Sequence, residues 1–252
     1  MDRNEAELLA LEVDTIYGLD RTAGRRPARL RDRKVRAVWA WSPGTRLLAL
    51  GPGVAEPGPD GLNGLDDADG SGGGDGSGGG EPREDAPGGV PRAVGRLAEA
   101  LGAGAAVEGG PSYVFPGRLA GGHATSLPVI VSDAGGKRAA GLLDRPDNWE
   151  PGEWGELIRG ELGEWAMATH GNGPVSICFS PARNATAAEA GIWTRPDFRG
   201  RRIGPAVVAA WAGREGRTKE VLFYSTTAEN AASRSVARTL GLRPLGWLWK
   251  IG

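Results

Sequence analysis

The sequence predicts a mixed α/β (α+β) fold, in which a mostly antiparallel sheet is flanked by helices. Two observations support this prediction. Strand-like and helix-like segments alternate from residue 150 onward, and apolar residues make up 40% of the chain, enough for a sizeable core. Because the predicted order is strand–strand–strand–helix–strand–helix–strand, we expect the helices to pack on a single mixed sheet.

The first elements are predicted before residue 111. Segments 35–41 and 45–50 read as two strands around Ser-Pro-Gly, which is a hairpin signal. Segment 91–104 begins with proline and ends in glycine, as a helix does. We expect residues 1–53 and 91–110 to form an N-terminal α/β accessory domain, followed by a C-terminal domain over residues 111–252.

The C-terminal domain is predicted to contain most of the sheet. Its predicted strands are 112–116, 127–133, 162–170, 174–180, 186–194, 220–225 and 242–251. Its predicted helices are 134–143, 150–160, 203–213 and 229–241. The turn Gly171-Asn172-Gly173 predicts an antiparallel hairpin. Trp39 and Trp41 alternate with small residues, and Trp247 and Trp249 repeat this alternation in the last strand. We expect core packing for both pairs, with an acceptor pocket as the alternative for Trp247 and Trp249.

An acidic, glycine-rich stretch separates the two parts of the accessory domain. Residues 70–80 hold eight glycines in eleven positions, with acidic residues on both sides. Such a composition buries too little apolar area to offset its ordering entropy. A phosphate-binding loop would need a preceding strand and a following helix, which are missing here. We therefore predict that residues 54–90 are a disordered insertion.

Composition and charge exclude several classes of protein. The formal net charge of −1 argues against bulk electrostatic binding to nucleic acid or to an acidic membrane. No run approaches the roughly 18 apolar residues of a spanning helix, and no signal-peptide pattern is present. The single Cys178 excludes an intrachain disulfide, and His123 and His170 are too far apart to indicate a metal pair. We expect a cytoplasmic protein without metal, nucleic-acid or membrane partners; its oligomeric state stays open.

Four arginines lie within eight positions where a predicted strand meets a predicted helix, at Arg195, Arg199, Arg201 and Arg202. A glycine loop at a helix N-terminus offers unpaired N–H groups and a positive dipole to phosphate. Guanidinium groups add bidentate contacts to phosphate oxygens. The alternative interpretation is a solvated basic loop.

The order of motifs from Glu189 to Leu242 resembles the GCN5-related N-acetyltransferase (GNAT) superfamily. It reads strand, RGRRIG, helix, strand, Asn-x-x-Ser, helix and Leu-Gly-Leu. The resemblance covers about residues 110–252 and implies a GNAT-like sheet. It also implies acetyl-CoA as co-substrate and transfer of the acetyl group to an amine.

The resemblance implies cofactor-binding residues at defined positions. The pyrophosphate loop corresponds to Arg199, Gly200, Arg201, Arg202, Ile203 and Gly204. Backbone groups of Ile192, Trp193 and Thr194 correspond to those that bind the pantetheine arm, and Asn230 to an asparagine that contacts it. Asn230 also suits a helix N-cap. The chain departs from the family at Arg202, where a glycine is usual, and at Ala237, where many members have a tyrosine acid.

Two residues are candidates for catalysis. Glu189 resembles a glutamate that drains a proton from the amine, with a cross-strand ion pair as the alternative role; Tyr224 is a candidate acid. The reaction would be direct attack by the amine in a ternary complex. Small amines, antibiotics, aminoacyl groups and protein lysines are all compatible acceptors. Two other functions compete with this one, a non-catalytic acyl-CoA sensor and nucleic-acid binding through RGRR, which the net charge disfavours.

Overall fold

The structure, a computed structural model, describes residues 3–20, 27–62, 64–65, 90–102, 106–119 and 122–252. The chain divides into two compact units. The first unit comprises Met1–Tyr113, Ser225–Ser233 and Arg243–Gly252, and the second comprises Val114–Tyr224 and Arg234–Leu242. Helices and strands occur in both units, so the mixed α/β class predicted from the sequence is confirmed.

The described residues form seven α-helices and eleven strands. The helices are α1 (Glu5–Tyr17), α2 (Pro59–Leu62), α3 (Arg92–Leu101), α4 (Ala134–Ala140), α5 (Pro151–Arg159), α6 (Ile203–Glu215) and α7 (Ala231–Leu240). The strands are β1 (Leu19–Asp20), β2 (Ala28–Leu30), β3 (Ala37–Ser42), β4 (Thr45–Leu50), β5 (Val107–Val114), β6 (Val129–Val131), β7 (Ala166–His170), β8 (Gly173–Arg183), β9 (Ala187–Thr194), β10 (Val221–Ser225) and β11 (Arg243–Ile251).

The first unit is built on a sheet with the strand order β1-β2-β4-β3-β11-β5. The predicted hairpin is present, since β3 and β4 pair antiparallel from Ala37↔Leu50 to Ser42↔Thr45. The last strand, β11, pairs antiparallel with β3 and sets Trp247 opposite Trp41 and Trp249 opposite Trp39. Together with apolar residues of α3, these four tryptophans form the core of the unit, as their alternation predicts. The sequence prediction assigned this strand to the C-terminal domain; in the structure it belongs to the first unit.

The helix α1 is an element that the sequence prediction did not include. Its start is fixed by a capping box, in which the Asn4 side chain accepts from the Glu7 N–H at 3.0 Å and Glu7 accepts from the Asn4 N–H at 3.1 Å. This reciprocal pair satisfies two N–H groups that a helix start would otherwise leave unpaired. The Asn-x-x-Glu signal was therefore readable in the sequence.

The predicted insertion over residues 54–90 starts too early. Residues 59–62 form the short helix α2, and Leu65, only 5% exposed, lies in the core cluster of the first unit with Val54 packed against it. The physical reason is that Val54 and Leu65 are apolar side chains with a core to cover. The glycine-rich centre of the predicted insertion, residues 66–89, lies outside the described residues.

The second unit is built on a sheet with the strand order β10-β9-β8-β7-β6. Each strand is antiparallel to its neighbour except β9 and β10, which are parallel. The apolar face of β7 and β8 packs with α4 and α5 through a cluster that includes Trp149, Trp154 and Trp165. Helix α6 covers the opposite face, where the indole N–H of Trp211 donates to Ser180 Oγ on β8 at 3.0 Å.

The described residues contain neither a candidate membrane span nor a candidate metal cluster. None of their helices is both long and apolar enough to cross a membrane. Their His, Cys, Asp and Glu side chains form no group of three that could hold a metal ion.

Candidate functional site

The parallel strands β9 and β10 of the second unit separate partway along their length. Their pairing runs from Ala187↔Val221 to Glu189↔Phe223. Beyond Glu189, β9 continues for five residues to Thr194, where it is still paired with β8 through Ser176. One edge of β9 is therefore open from Ala190 onward, which exposes backbone hydrogen-bonding groups that a closed sheet would satisfy.

The backbone groups on this open edge can be assigned by strand alternation. On the β8 side, the Arg195 N–H donates to the Val175 carbonyl at 2.9 Å and the Trp193 carbonyl accepts from Ser176 Oγ at 3.1 Å. Since alternate residues of a strand direct their N–H and C=O groups to opposite sides, Ile192 and Thr194 direct theirs to the open edge. Of the three predicted pantetheine-binding residues, these two have backbone groups that face the opening.

The loop after β9 leads into an uncapped helix start. A single turn of 3-10 helix (Pro196–Phe198) is followed by Gly200 at φ +74° and Arg202 at φ +57°, and α6 begins at the next residue. No side chain caps α6 at Arg202. Within the described chain, the N–H groups from Gly200 to Gly204 donate to no backbone acceptor. An uncapped helix start with several unpaired N–H groups is a ready anion-binding site.

The two loop glycines are required for different reasons. A Cβ on Gly200 would meet nothing within 4 Å, so glycine is favoured there by its positive φ and not by a close contact. The space above the loop at this position is open. A Cβ on Gly204 would lie 3.3 Å from Val236 Cγ2 and 3.4 Å from Ile192 Cδ1. Gly204 thus allows α6 to pack closely on β9 and α7, whereas Gly200 leaves room for a ligand.

The four arginines of the loop have different roles. Arg195 forms a bidentate pair with Asp197, at 2.7 and 3.0 Å. This hydrogen bond lowers the pKa of Asp197 and raises the pKa of Arg195 from their usual ranges. Arg199 donates its Nε to the Thr194 carbonyl at 3.1 Å, which leaves both of its terminal nitrogens available.

Of the remaining two arginines, Arg201 contacts an aromatic ring and Arg202 has an unusual backbone conformation. The guanidinium of Arg201 lies over the ring of Phe198, 4.8 Å from its centroid, and that of Arg195 lies 4.4 Å from the same centroid. Arg202 is the one non-glycine residue with positive φ among the described residues, at the position where the GNAT loop usually has glycine. Among the described residues, Arg195 is the one arginine of this loop that forms an ion pair, and the charge of its partner Asp197 also acts on Arg201.

The two candidate catalytic residues are both buried in the second unit. Glu189 is 5% exposed and stands at the last paired position of β9; Tyr224 is 1% exposed and follows Phe223, the partner of Glu189, on β10. Because side chains alternate along a strand, the Glu189 and Tyr224 side chains lie on opposite faces of the sheet. Both residues stand where the pairing of β9 and β10 ends, with their side chains on opposite faces of the sheet.

The structure also describes three other residues named in the sequence analysis. Ala237, at the position of the family's tyrosine, is fully buried in α7. Asn230 belongs to the first unit and accepts from the Ser233 N–H at 3.0 Å, which is the predicted helix-capping contact. Cys178 is fully buried, as predicted for a core residue; burial raises the pKa of its thiol, and the charge of Glu215 adds to the increase.

Sequence reasoning missed three residues that shape the loop. Ser176 binds the Trp193 carbonyl and contacts Thr194 Oγ1 at 2.8 Å; Asp197 neutralises Arg195; Phe198 contacts two arginines. The Arg-x-Asp spacing indicates an ion pair in the sequence itself. The contacts of Ser176 cannot be predicted from the sequence, because they depend on the register between β8 and β9.

No model of a known protein family matches this sequence, and no curated protein matches it at a significant level. Three similar solved structures are GNAT proteins. A GCN5-related N-acetyltransferase-like protein from Streptococcus suis is 19% identical, with 64% of this chain and 68% of that chain covered and a TM-score of 0.43. A GCN5-related N-acetyltransferase from Kribbella flavida is 17% identical, with coverage of 63% and 62% and a TM-score of 0.42. Another from Sphaerobacter thermophilus is 14% identical, with coverage of 65% and 56% and a TM-score of 0.45.

Proposed function

We propose that this chain is an N-acetyltransferase of the GNAT type that transfers an acyl group from acetyl-CoA to an amine. One observation carries the proposal. The open edge of β9 leads directly, through a loop with two residues of positive φ, to the uncapped N-terminus of α6. An extended amide-containing arm that ends in a diphosphate matches both parts of this surface, since its amides need strand-edge partners and its phosphates need N–H donors.

In this proposal, the cofactor is held largely by the backbone. The backbone of Ile192 and the N–H of Thr194 pair with the pantetheine amides, since the Thr194 carbonyl already accepts from Arg199. The N–H groups from Gly200 to Gly204 receive the diphosphate. The free space over Gly200 and the unpaired N–H groups fit such a ligand. Arg199 and Arg201 supply guanidinium contacts to the outer phosphate oxygens.

The proposed chemistry is direct attack of a neutral amine on the thioester carbonyl carbon. Bound acetyl-CoA supplies an activated acyl group. Glu189 accepts the proton that the ammonium group must lose. Tyr224 protonates the departing thiolate. In this proposal the thioester carbon lies in the gap where β9 and β10 separate, because the amine nitrogen and the leaving sulfur share that carbon and both residues must reach it.

Calorimetric titration with coenzyme A tests the binding site. Gly200→Val should bring binding below detection, because its side chain would fill the space over the loop. Gly171→Val is a matched control, since Gly171 also has positive φ (+61°) and nothing within 4 Å of a built Cβ. Both variants carry the same backbone strain. Loss of binding in both, or in neither, would contradict the proposed phosphate site.

Acyl transfer is tested by thiol release from acetyl-CoA with a panel of small amines, aminoglycosides, aminoacyl compounds and lysine peptides. We expect the parent protein to release coenzyme A with at least one class of amine. The product amide, identified by mass spectrometry, then gives the acceptor. Thiol release that does not depend on any amine would argue for thioester hydrolysis instead.

A second candidate function is a non-catalytic acyl-CoA sensor. The observation that favours it is the buried Ala237 at the position where many GNAT enzymes carry their tyrosine acid. A sensor would bind coenzyme A as tightly as the enzyme does but would release no thiol with any amine. Introduction of the acid by Ala237→Tyr distinguishes the two candidates further, because it would raise turnover only in a chain that has the remaining machinery.

A further inference from the structure

We propose that Phe198 is a positioning residue that holds the guanidinium of Arg201 ready for the phosphate groups of the ligand. The inference rests on the proposed function, and it concerns the same loop. Phe198 is buried, with 6% of its surface exposed, between β9 and the start of α6. Its ring is therefore fixed, while the arginine that lies on it is exposed to solvent.

The contacts of the four arginines single out Arg201. The charge of Arg195 is compensated by Asp197, and Arg199 is tied to the Thr194 carbonyl through its Nε. Within the described residues, Arg201 forms no ion pair or hydrogen bond; the charge of Asp197 acts on it from a distance, and the ring at 4.8 Å is its direct contact. Its charge is available to an anion, and its orientation is set by the ring.

The ring has a second contact that holds it in place. The imidazole of His170, at the end of β7, lies 5.2 Å from the Phe198 ring centroid at an interplanar angle of 54°. Arg195 lies over the same ring and is itself fixed by its two bonds to Asp197. Phe198 is thus held from several directions, which makes it a rigid platform for Arg201.

A preoriented arginine gains affinity in a specific way. A long side chain that is already restricted loses less conformational freedom when it binds a ligand. An arginine that lies flat on an aromatic ring also keeps its planar group aimed in one direction, which a lysine cannot match. The ring should therefore raise the affinity for coenzyme A only when Arg201 is present.

A double-mutant cycle on coenzyme A binding tests this coupling. Arg201→Ala should weaken binding roughly tenfold, as expected for a charged hydrogen bond. Phe198→Leu should weaken it roughly fivefold, which corresponds to a cation–π contact at a partly exposed site. In the double variant the effect of Phe198→Leu should disappear. Phe198→Tyr, which keeps the ring, should restore parental affinity.

Two further variants keep the test decisive if Phe198→Leu fails to fold. Arg201→Lys retains the charge and leaves the core intact, and it should weaken binding nearly as much as Arg201→Ala. Phe115→Leu removes an aromatic ring elsewhere in the second unit, 5.7 Å from Trp211, and should leave affinity unchanged. The same set measured at high salt should show a smaller effect of Arg201→Ala.

The outcomes separate this inference from the proposed function. If the parent protein does not bind coenzyme A, the proposed function fails and this inference fails with it. If the parent binds, but Phe198→Leu weakens binding equally with and without Arg201, the ring acts only through the loop backbone and the inference alone is overturned. Parental affinity in Arg201→Lys would overturn it as well.

Discussion

Two strand pairs show how the same backbone can be used for packing or for binding. In the first unit, β3 and β11 pair along five residues, and their tryptophans fill the core. In the second unit, β9 and β10 pair along three residues and then separate. The first pair leaves no backbone group to a ligand, whereas the second exposes one edge of β9 next to an uncapped helix. The difference shows that the binding surface comes from pairing that stops early.

Glycine follows the same division. A Cβ on Gly246 of β11 would overlap the carbonyl oxygen of Trp41 on β3, so glycine is there because the strands approach too closely for any side chain. A Cβ on Gly200 would meet nothing, and glycine is there for its positive φ. Gly246 thus allows two strands to pair closely, and Gly200 allows the loop to adopt a conformation with open space above it.

The largest effect is expected on stability, at the close contact between β3 and β11. Gly246→Ala should destabilise the protein by about 3 kcal/mol or more, because the clash is with backbone and not with a movable side chain. Urea denaturation followed by tryptophan fluorescence measures this loss. The control is Gly173→Ala at the start of β8, where a Cβ meets nothing and φ is ordinary. If the two variants are equally stable, β11 does not approach β3 as closely as the structure shows.

The next effect concerns the rate of acyl transfer and Glu189, which lies where the pairing of β9 and β10 ends. Glu189→Gln should lower turnover roughly 100-fold, since a positioned base typically contributes 10²–10⁴-fold. The dissociation constant for coenzyme A should stay the same, because the base acts on the amine. Steady-state kinetics across pH and calorimetry on one preparation measure both quantities. Parental turnover would remove Glu189 from the mechanism, and weaker cofactor binding would indicate a structural role.

The sequence predicted most of the elements but not how they pair. The motif from Thr194 to Ile203 placed the end of β9, the loop and the start of α6, because local signals such as glycine and proline fix them. Local sequence signals do not predict the early end of the β9–β10 pairing, since it depends on residues more than thirty positions apart. The family resemblance did imply it, because it assigned the backbone from Ile192 to Thr194 to a ligand and not to the neighbouring strand. The grouping of β11 with β3 was missed for the same reason, although the alternating tryptophans at both sites pointed to a shared core.

A third prediction concerns Arg202, the position where the loop departs from the GNAT pattern. A non-glycine residue at φ +57° is strained by about 1 kcal/mol, so Arg202→Gly should stabilise the fold by an amount of that order, less the chain entropy that glycine adds. Affinity for coenzyme A should be maintained or increased. Arg202→Ala is the control, because it removes the same side chain and keeps the strain. Equal stabilities of the two variants would show that the strain is absent.

The smallest effect is expected at Asp197, where the direction of the change in affinity for coenzyme A distinguishes two roles. Asp197 compensates Arg195, so Asp197→Asn adds one net positive charge to a loop that is proposed to bind an anion. The side chains of Arg195 and Asp197 are 39% and 61% exposed, so solvent screens their interaction. Affinity for coenzyme A should therefore rise only about twofold at low ionic strength, and the gain should vanish at high salt. Weaker binding in Asp197→Asn at both salt concentrations would mean that Asp197 acts by orienting Arg195 and not through its charge. In that case Arg195 is a phosphate ligand, and its ion pair with Asp197 is part of the binding surface. The Lys250–Glu108 pair in the first unit, at 2.7 Å, provides the control, since Glu108→Gln changes net charge by the same amount outside the proposed phosphate loop.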